Sequence, residues 1–167
     1  MRKNYAQAAA WYRKAAEQGH AHAQTNLGLL YRKGRGVPKD YAQAAAWYRK
    51  AEEQGDPAAQ VNLGELYRKG QGVPKDYAQA AAWYRKAAER GDRVAQGNLS
   101  EAYIKGQGVQ KSNADAYFWL SLAAPEMKGK ERRVAERALE VVAAKLTTAE
   151  LSKAKKRAKQ WLPQVPA

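Results

Sequence analysis

Residues 5–15 read YAQAAAWYRKA, and the same eleven letters return at residues 41–51 and 77–87. Each copy begins 36 residues after the previous one. Residues 5–40 and 41–76 differ at seven positions and are identical at the other 29. A fixed period of this length indicates a repeat array, in which each unit is one supersecondary element that stacks on its neighbours.

Each repeat contains two helical patterns separated by a glycine-containing loop. In the first pattern, termed helix A, apolar side chains recur at helical spacing until Gly34, a typical helix stop; they are Ala23, Leu27, Leu30 and Tyr31. Asp40 precedes the second pattern, helix B, as a suitable N-cap, and Gly55 ends it. Asp56 and Pro57 open the next helix A, with proline at the first helical position, where its missing N–H costs nothing.

Large and small side chains are paired within each repeat. Trp47 and Tyr48 are bulky, whereas Gly28 allows two backbones to approach closely. Neither helix can bury its apolar stripe alone, so we expect neighbouring helix pairs to stack. Trp11 and Trp83 occupy positions equivalent to Trp47, and all three are predicted to be packing residues.

The composition favours an acidic partner and excludes cysteine chemistry. The chain has 167 residues, with 30 Lys and Arg against 16 Asp and Glu, which gives a formal net charge of +14. This excess attracts nucleic acid, anionic lipid or an acidic protein face, and it also keeps a protein in solution. There is no cysteine, which excludes disulfides and thiolate metal sites and leaves the redox compartment undetermined.

The pattern AQxNLGxLYxKGxGVPKDYxxAxxWYxKA fits residues 23–51 and again residues 59–87. It resembles the Sel-one-like repeat family of the tetratricopeptide-like superfamily, and the resemblance extends over roughly residues 4–126. The resemblance implies an all-α fold, a right-handed α-α superhelix or solenoid whose concave side is lined by the A helices. It also implies a scaffold or adaptor without enzymatic activity that holds a protein or peptide on that side.

The third repeat and the C-terminal region depart from the pattern. Relative to the first repeat, residue types change at Ser100, Ile104, Gln110 and Ser112, although serine can still cap a helix. Beyond residue 126 the glycine loop is missing, and residues 147–150 have the form of a capping box. We therefore divide the chain into repeats at 1–126, with a leading helix B and about three helix pairs, capping helices at 127–162 and a tail at 163–167.

Helix A supplies the candidate binding residues if it lines the concave side, as the resemblance implies. The predicted partner-binding set comprises a recurring asparagine, the cations that end each helix, and a glutamate that stands where the first repeat has leucine: Asn26, Arg32, Lys33, Asn62, Glu65, Arg68, Lys69, Asn98, Glu101 and Lys105. Asparagine amides can bind a peptide backbone, and cations can bind acidic groups. Two structural interpretations stay open, because asparagine can serve inter-repeat hydrogen bonds and cations at a helix C-terminus complement the dipole.

The C-terminal region concentrates positive charge. Residues 127–167 contain eleven Lys and Arg and four Glu, a net charge of +7. A solvated polar face accounts for such charge, and contact with nucleic acid or an anionic surface is the alternative. The segment has no recognisable nucleic-acid-binding motif. A protein or peptide is the partner that the resemblance implies, and nucleic acid or an anionic surface is the second candidate.

The sequence indicates no catalytic residue, no metal site and no cofactor. His20 and His22 are two residues apart near a helix start, so they point in different directions and make a poor metal pair. No apolar run approaches the roughly 18 residues of a transmembrane segment, and no signal peptide is recognisable. The compartment is left open between the cytoplasm and, for a truncated chain, the periplasm or exterior.

The N-terminal end begins with a helix B that lacks its own helix A. We expect the face around Tyr5, Ala9 and Tyr12 to lie partly open. An exposed apolar patch tends to be covered, here by a preceding repeat or by self-association. A small alanine-rich face that tolerates water is the alternative.

Overall fold

The computed structural model describes residues 4–164 of the chain. This part contains a short 3-10 helix at Ala124–Glu126, no strand and nine α-helices: α1 (Tyr5–Glu17), α2 (Ala21–Lys33), α3 (Tyr41–Glu53), α4 (Pro57–Lys69), α5 (Tyr77–Glu89), α6 (Arg93–Lys105), α7 (Asn113–Ala123), α8 (Gly129–Ala143) and α9 (Thr148–Gln160). The predicted all-α fold is confirmed, with B and A helices alternating from α1 to α7. The chain divides into two compact units, one ending at Trp83 and the other beginning at Tyr84.

Short-range signals set the helix ends in the first unit. The Asp40 carboxylate accepts a hydrogen bond from the backbone N–H of Gln43 at 2.9 Å, and Asp56 accepts one from Ala59 at the same distance. Gly34 ends α2 with a φ of 62°, in the left-handed region that glycine adopts without strain. The predicted caps at Asp40 and Asp56 and the predicted stop at Gly34 are thus confirmed.

Two further predicted caps lie in the second unit. The Ser112 hydroxyl accepts a hydrogen bond from the backbone N–H of Asp115 at 3.1 Å, at the start of α7. Thr147 and Glu150 form the reciprocal capping box at the start of α9. The hydrogen bonds from Thr147 hold the pKa of Glu150 below its usual range. The capping predictions for α7 and α9 are therefore confirmed.

The core of the first unit is built around Tyr48, which is fully buried. Its ring lies between α3 and α2, against the backbone of Gly28. Alanine and leucine side chains from α3 and α4 complete the cluster, among them Ala44, Leu63 and Leu66. The predicted pairing of a bulky and a small residue is present at this contact. Because the buried Tyr48 ring lies against the backbone of residue 28, a side chain there would overlap the ring, and glycine has none.

Tryptophans at equivalent positions differ in burial. Trp47 packs against the cluster that contains Leu27, and Trp83 packs against the cluster that contains Tyr48; both are half-buried. Trp11 is 65% exposed. The prediction that all three are packing residues is therefore wrong for Trp11, because no helix among residues 4–164 covers its side of α1.

The expectation of a partly open face on α1 is correct in part. Tyr5 and Tyr12 are half-buried, whereas Ala9 is only 3% exposed. Ala9 lies seven residues before Ala16 and hence on the same side of the helix, the side that is packed. The expectation was wrong for Ala9 and missed Trp11, the most exposed aromatic side chain of this helix.

In the second unit α7 is packed between α6, α8 and α9. Leu120 of α7 forms an apolar cluster with Ala124 and with Ala135 of α8. On the side of α9, Trp161 meets Trp119 edge to face, with ring centroids 6.5 Å apart. These contacts place α8 beside the repeat helices, where it forms one wall of the groove described next.

Arg157 links α9 to α7 at a second point. Its guanidinium donates a hydrogen bond to the Asp115 carboxylate at 2.7 Å and lies 3.8 Å from the centre of the Phe118 ring.

The longest helix in residues 4–164 is α8, with 15 residues. Within the same range, no helix is both long and apolar enough to cross a lipid bilayer.

Candidate functional site

The second unit contains an open groove of about 740 Å³ between α6 and α8. Leu120 of α7 and Met127, which precedes α8, also line it. Apolar side chains make up most of the lining, with charged residues along the edges. A groove with these properties resembles a site that holds part of another molecule, since soluble proteins rarely leave large apolar surfaces uncovered.

One face of α6 forms the first wall, with Val94, Asn98, Glu101 and Ile104. Spacings of four, three and three residues place these side chains on one side of the helix. Val94 is 62% exposed and Ile104 is half-buried. In both earlier repeats the position of Ile104 holds arginine, so the substitution removes a guanidinium and makes this wall apolar.

One face of α8 forms the facing wall, through Lys130, Val134 and Ala138. Successive residues of this set are four apart and therefore lie above one another on the helix. Val134 is 61% exposed although the adjacent Ala135 is buried in the core. An exposed valine on each wall, Val94 and Val134, thus borders the same groove.

The outer edge of α8 is basic. Lys130, Arg133 and Arg137 are three and four residues apart, which places them along the solvent side of the helix next to Val134. In the described part of the chain none of these three cations has a carboxylate partner within salt-bridge distance. Lys130 lines the groove, and the spacing places Arg133 and Arg137 beside it on the solvent side of α8, outside the lining.

The other charges at the groove are largely paired. Glu101 forms an ion pair with Lys105, and Arg93 forms one with Glu126. Glu131 is the remaining acidic residue of the lining, and it stands near Arg93 at one end of the groove. The basic edge of α8 therefore dominates the unpaired charge.

The predicted partner-binding asparagines occupy the same helix position but different surroundings. Asn98 lines the groove. Asn26 and Asn62 lie in the first unit, where their amides donate hydrogen bonds to the carbonyl oxygens of His22 and Ala58 at 3.0 and 2.8 Å. These bonds lie within one helix, so they differ from the inter-repeat bonds considered above. The binding role of the asparagines stays a prediction.

Both predicted glutamates form ion pairs with cations of their own helix. Glu65 lies 3.0 Å from Arg68 and 2.9 Å from Lys69, while Glu101 pairs with Lys105. Ion pairs within a helix contribute about 0.3–0.5 kcal/mol each, and these neutralise part of the charge at the helix end. Of these five residues, only Glu101 lines the groove between α6 and α8.

The first repeat presents its cations differently. Leu29 stands where the second and third repeats have glutamate, so Arg32 and Lys33 have no acid one turn earlier on α2. The charge of Arg32 acts on the buried Tyr48 hydroxyl nearby. A role for Arg32 and Lys33 in partner binding stays a prediction.

A buried glutamine in each A helix escaped the sequence interpretation. Gln24 donates a hydrogen bond to the carbonyl oxygen of Ala16 at 3.1 Å, and Gln96 does the same to Ala88 at 3.2 Å. Gln60 is equally buried. These side chains tie the start of helix A to the end of the preceding helix B, and their recurrence with the period was the signal that could have identified them.

Neither histidine belongs to a metal site in the described residues. His20 and His22 are both exposed. Among residues 4–164 there is no cluster of three or more His, Asp or Glu side chains that could hold a metal ion.

The alternation of A and B helices, the left-handed glycine stops and the 36-residue period define a helical repeat protein of the tetratricopeptide-like class. The chain belongs to the Sel1 repeat family, whose sequence profile matches residues 1–20, 21–56, 57–92 and 93–124. The fold is accordingly that of an all-α Sel1 repeat solenoid.

Solved structures support this assignment. The chain is 39% identical to a protective antigen of uropathogenic Escherichia coli that displays an SLR fold, with a TM-score of 0.85. The alignment covers 95% of this chain and 33% of that one. A Sel1 repeat protein from Oxalobacter formigenes is 36% identical, with a TM-score of 0.74 and coverage of 97% and 67%. A comparison with curated proteins gave no match.

The chain therefore spans about a third of the length of the first of these relatives. Sel1 repeat proteins are in general scaffolds for protein interaction. Because a fold does not by itself specify a ligand, any partner has to be inferred from the surface of the chain.

Proposed function

We propose that this protein is a non-catalytic interaction scaffold that holds a segment of a partner protein in the groove between α6 and α8. The observation that carries the proposal is the pair of exposed valines, Val94 and Val134, which face the same apolar groove from opposite walls. Their further burial by a ligand would contribute less than the roughly 1.5–3 kcal/mol expected for a fully exposed side chain, because they are 62% and 61% exposed. Membership of the Sel1 repeat family supports the same function.

The departures from the repeat pattern support this location. Ile104 replaces the arginine of the earlier repeats, and Val94 replaces the His22 and Ala58 of those repeats. Both changes enlarge the apolar area on the helix wall that faces α8. Asn98 and Glu101, which belong to the predicted binding set, stand between them and supply polar groups for orientation.

The proposal is tested by affinity capture from a lysate of the source organism at about 0.3 M salt, where weak nonspecific electrostatic contacts are screened. The bait proteins are the native chain, Ile104→Arg, Val134→Lys and a control, Leu162→Lys. Ile104→Arg restores the residue type of the earlier repeats, and Leu162 is 81% exposed and lies outside the groove. We expect a protein that the native chain and the control retain and that both groove variants lose.

Retention that is equal for all four baits would contradict the proposal.

The competing function is binding of nucleic acid or an anionic surface by the C-terminal helices, where Lys153, Lys155, Lys156 and Lys159 are all exposed. In that case, nucleic acid would be recovered at low salt and lost at about 0.3 M. The groove variants would not affect its recovery.

A further inference from the structure

We infer that the groove between α6 and α8 accepts an amphipathic helix of the partner that carries acidic side chains on one flank. This inference rests on the proposed function and names the class of segment that the groove fits. It follows from the shape of the groove, from the position of its apolar residues and from the asymmetry of its edge charges.

The length of the groove matches a short helix. Val94 and Ile104 lie ten residues apart on α6, which corresponds to about 15 Å or nearly three helical turns. A ligand helix of about three to four turns presents apolar residues at positions i, i+3 or i+4, and i+7 over this distance. The two walls are themselves helices, so a third helix can pack between them with side chains in their surface grooves.

The small residues at the groove surface permit close packing. Gly97 on α6 and Ala138 on α8 line the groove beside the larger Val94 and Val134. Among residues 4–164, a β-carbon on Gly97 would have only the Met127 side chain within 4 Å, at 3.8 Å. There is accordingly free space above this glycine, into which a leucine or isoleucine of the ligand helix fits.

The charges along the edges of the groove determine which sign of charge the ligand helix carries on the flank that faces α8. Lys130, Arg133 and Arg137 follow the α8 edge without a carboxylate partner in the part of the chain that the structure covers. On the α6 edge, Glu101 is paired with Lys105 and Asn98 is neutral. An acidic flank along the outer side of α8 faces Lys130 of the lining and the adjoining Arg133 and Arg137, whereas a basic flank there meets like charge. Glu131, the acidic lining residue of α8, lies at the end of the groove near Arg93.

The inference is tested with three fluorescently labelled synthetic peptides of about 14 residues, long enough for about four helical turns. The first has leucine at i, i+3, i+7 and i+10 and glutamate on one flank. The second replaces those glutamates with lysine. The third has the composition of the first with its leucines redistributed so that no apolar stripe forms. Binding to the full chain is measured by fluorescence anisotropy at about 0.1 M salt.

We expect the acidic amphipathic peptide to bind at least about tenfold more tightly than the other two, because both the stripe and the flank contribute. The triple variant Lys130→Gln, Arg133→Gln, Arg137→Gln should weaken its binding about tenfold and reduce its salt dependence. A matched variant, Lys153→Gln, Lys155→Gln, Lys156→Gln, removes the same charge from α9 and should change binding less than about twofold. Circular dichroism of both variants establishes that they are folded.

The inference is wrong if the basic peptide or the redistributed peptide binds as tightly as the acidic amphipathic peptide. It is also wrong if the two triple variants weaken the binding of the acidic peptide equally. The proposed function fails in a different way. If the Ile104→Arg bait no longer retains the lysate protein but no acidic peptide binds, the groove binds a partner of another class and only the helix inference is wrong. If the Ile104→Arg bait retains the lysate protein as well as the native chain does, the proposed function itself is wrong.

Discussion

The ring of Tyr48 lies directly against Gly28, where a β-carbon would stand 2.6 Å from Cε1 and 2.8 Å from Cδ1 of the ring. The second unit has a different pair at the equivalent positions, Ser100 and Leu120. The Ser100 hydroxyl donates a hydrogen bond to the carbonyl oxygen of Ala116 at 2.9 Å. A glycine and a tyrosine thus occupy these positions in two pairs, Gly28 with Tyr48 and Gly64 with Tyr84, and both residues are replaced in the third pair.

This relationship predicts strong coupling between positions 28 and 48. Gly28→Ser should lower the free energy of unfolding by about 1–3 kcal/mol, because the buried ring of Tyr48 has no room to move. In a Tyr48→Leu background the same substitution should cost about 1–2 kcal/mol less. Denaturant unfolding of the four proteins of the cycle measures both values. Additive costs would show that the ring does not restrict residue 28.

The buried hydroxyl of Tyr48 predicts a pH dependence of stability. Burial raises the pKa of Tyr48 to about 12, and the positive charge of Arg32 opposes this rise. Among the described residues this hydroxyl has no hydrogen-bond partner. Because the folded state favours the neutral phenol, the stabilisation is complete below about pH 10, the ordinary pKa of tyrosine, and is lost as the pH rises towards 12.

The comparison of the native protein with Tyr48→Phe isolates this effect from the other tyrosines. Between about pH 9.5 and 11.5, the native protein should lose about 1–2 kcal/mol more unfolding free energy than the variant. Near neutral pH the variant should be at least as stable, since it removes an unpaired buried hydroxyl. Parallel pH profiles for the two proteins would contradict the assignment.

A missing N-cap predicts a stabilising substitution. His20 and Asp56 are equivalent positions before α2 and α4, with φ and ψ of −70° and 109° against −63° and 115°. Asp56 caps its helix, whereas His20 makes no capping hydrogen bond with its side chain. His20→Asp should therefore raise the free energy of unfolding by about 1 kcal/mol, and Asp56→Ala should lower it by a similar amount. Thermal unfolding of both variants tests the pair, and a destabilised His20→Asp protein would contradict it.

Much of the fold could be predicted because its signals are local. Asp40, Asp56 and Ser112 cap helices through backbone groups three residues away, and Gly34 stops α2 through its own dihedral angles. The 36-residue period then repeats each signal, so every assignment could be checked against its copies.

The groove could not be predicted in the same way, because α8 and α6 meet through tertiary packing that no repeat specifies. Ile104 departs from the repeat pattern, but its place in a groove depends on Val134, which lies on the opposite wall. Trp11 shows the same limitation: its equivalence to Trp47 predicts packing, but burial depends on what lies beside α1. The periodicity specifies residue types, whereas the neighbouring helices determine which faces stay open.

The most direct test of the scaffold function is site-specific photocrosslinking with a photoreactive phenylalanine derivative in place of Val134 in the groove or of Leu162 outside it. After irradiation in a lysate of the source organism, mass spectrometry identifies the crosslinked protein and the attached peptide. If the groove holds a partner, position 134 crosslinks to one protein, at a segment with an apolar stripe, and position 162 does not. The same set of proteins from both positions, or no crosslink from position 134, would contradict the claim that the groove is the binding site.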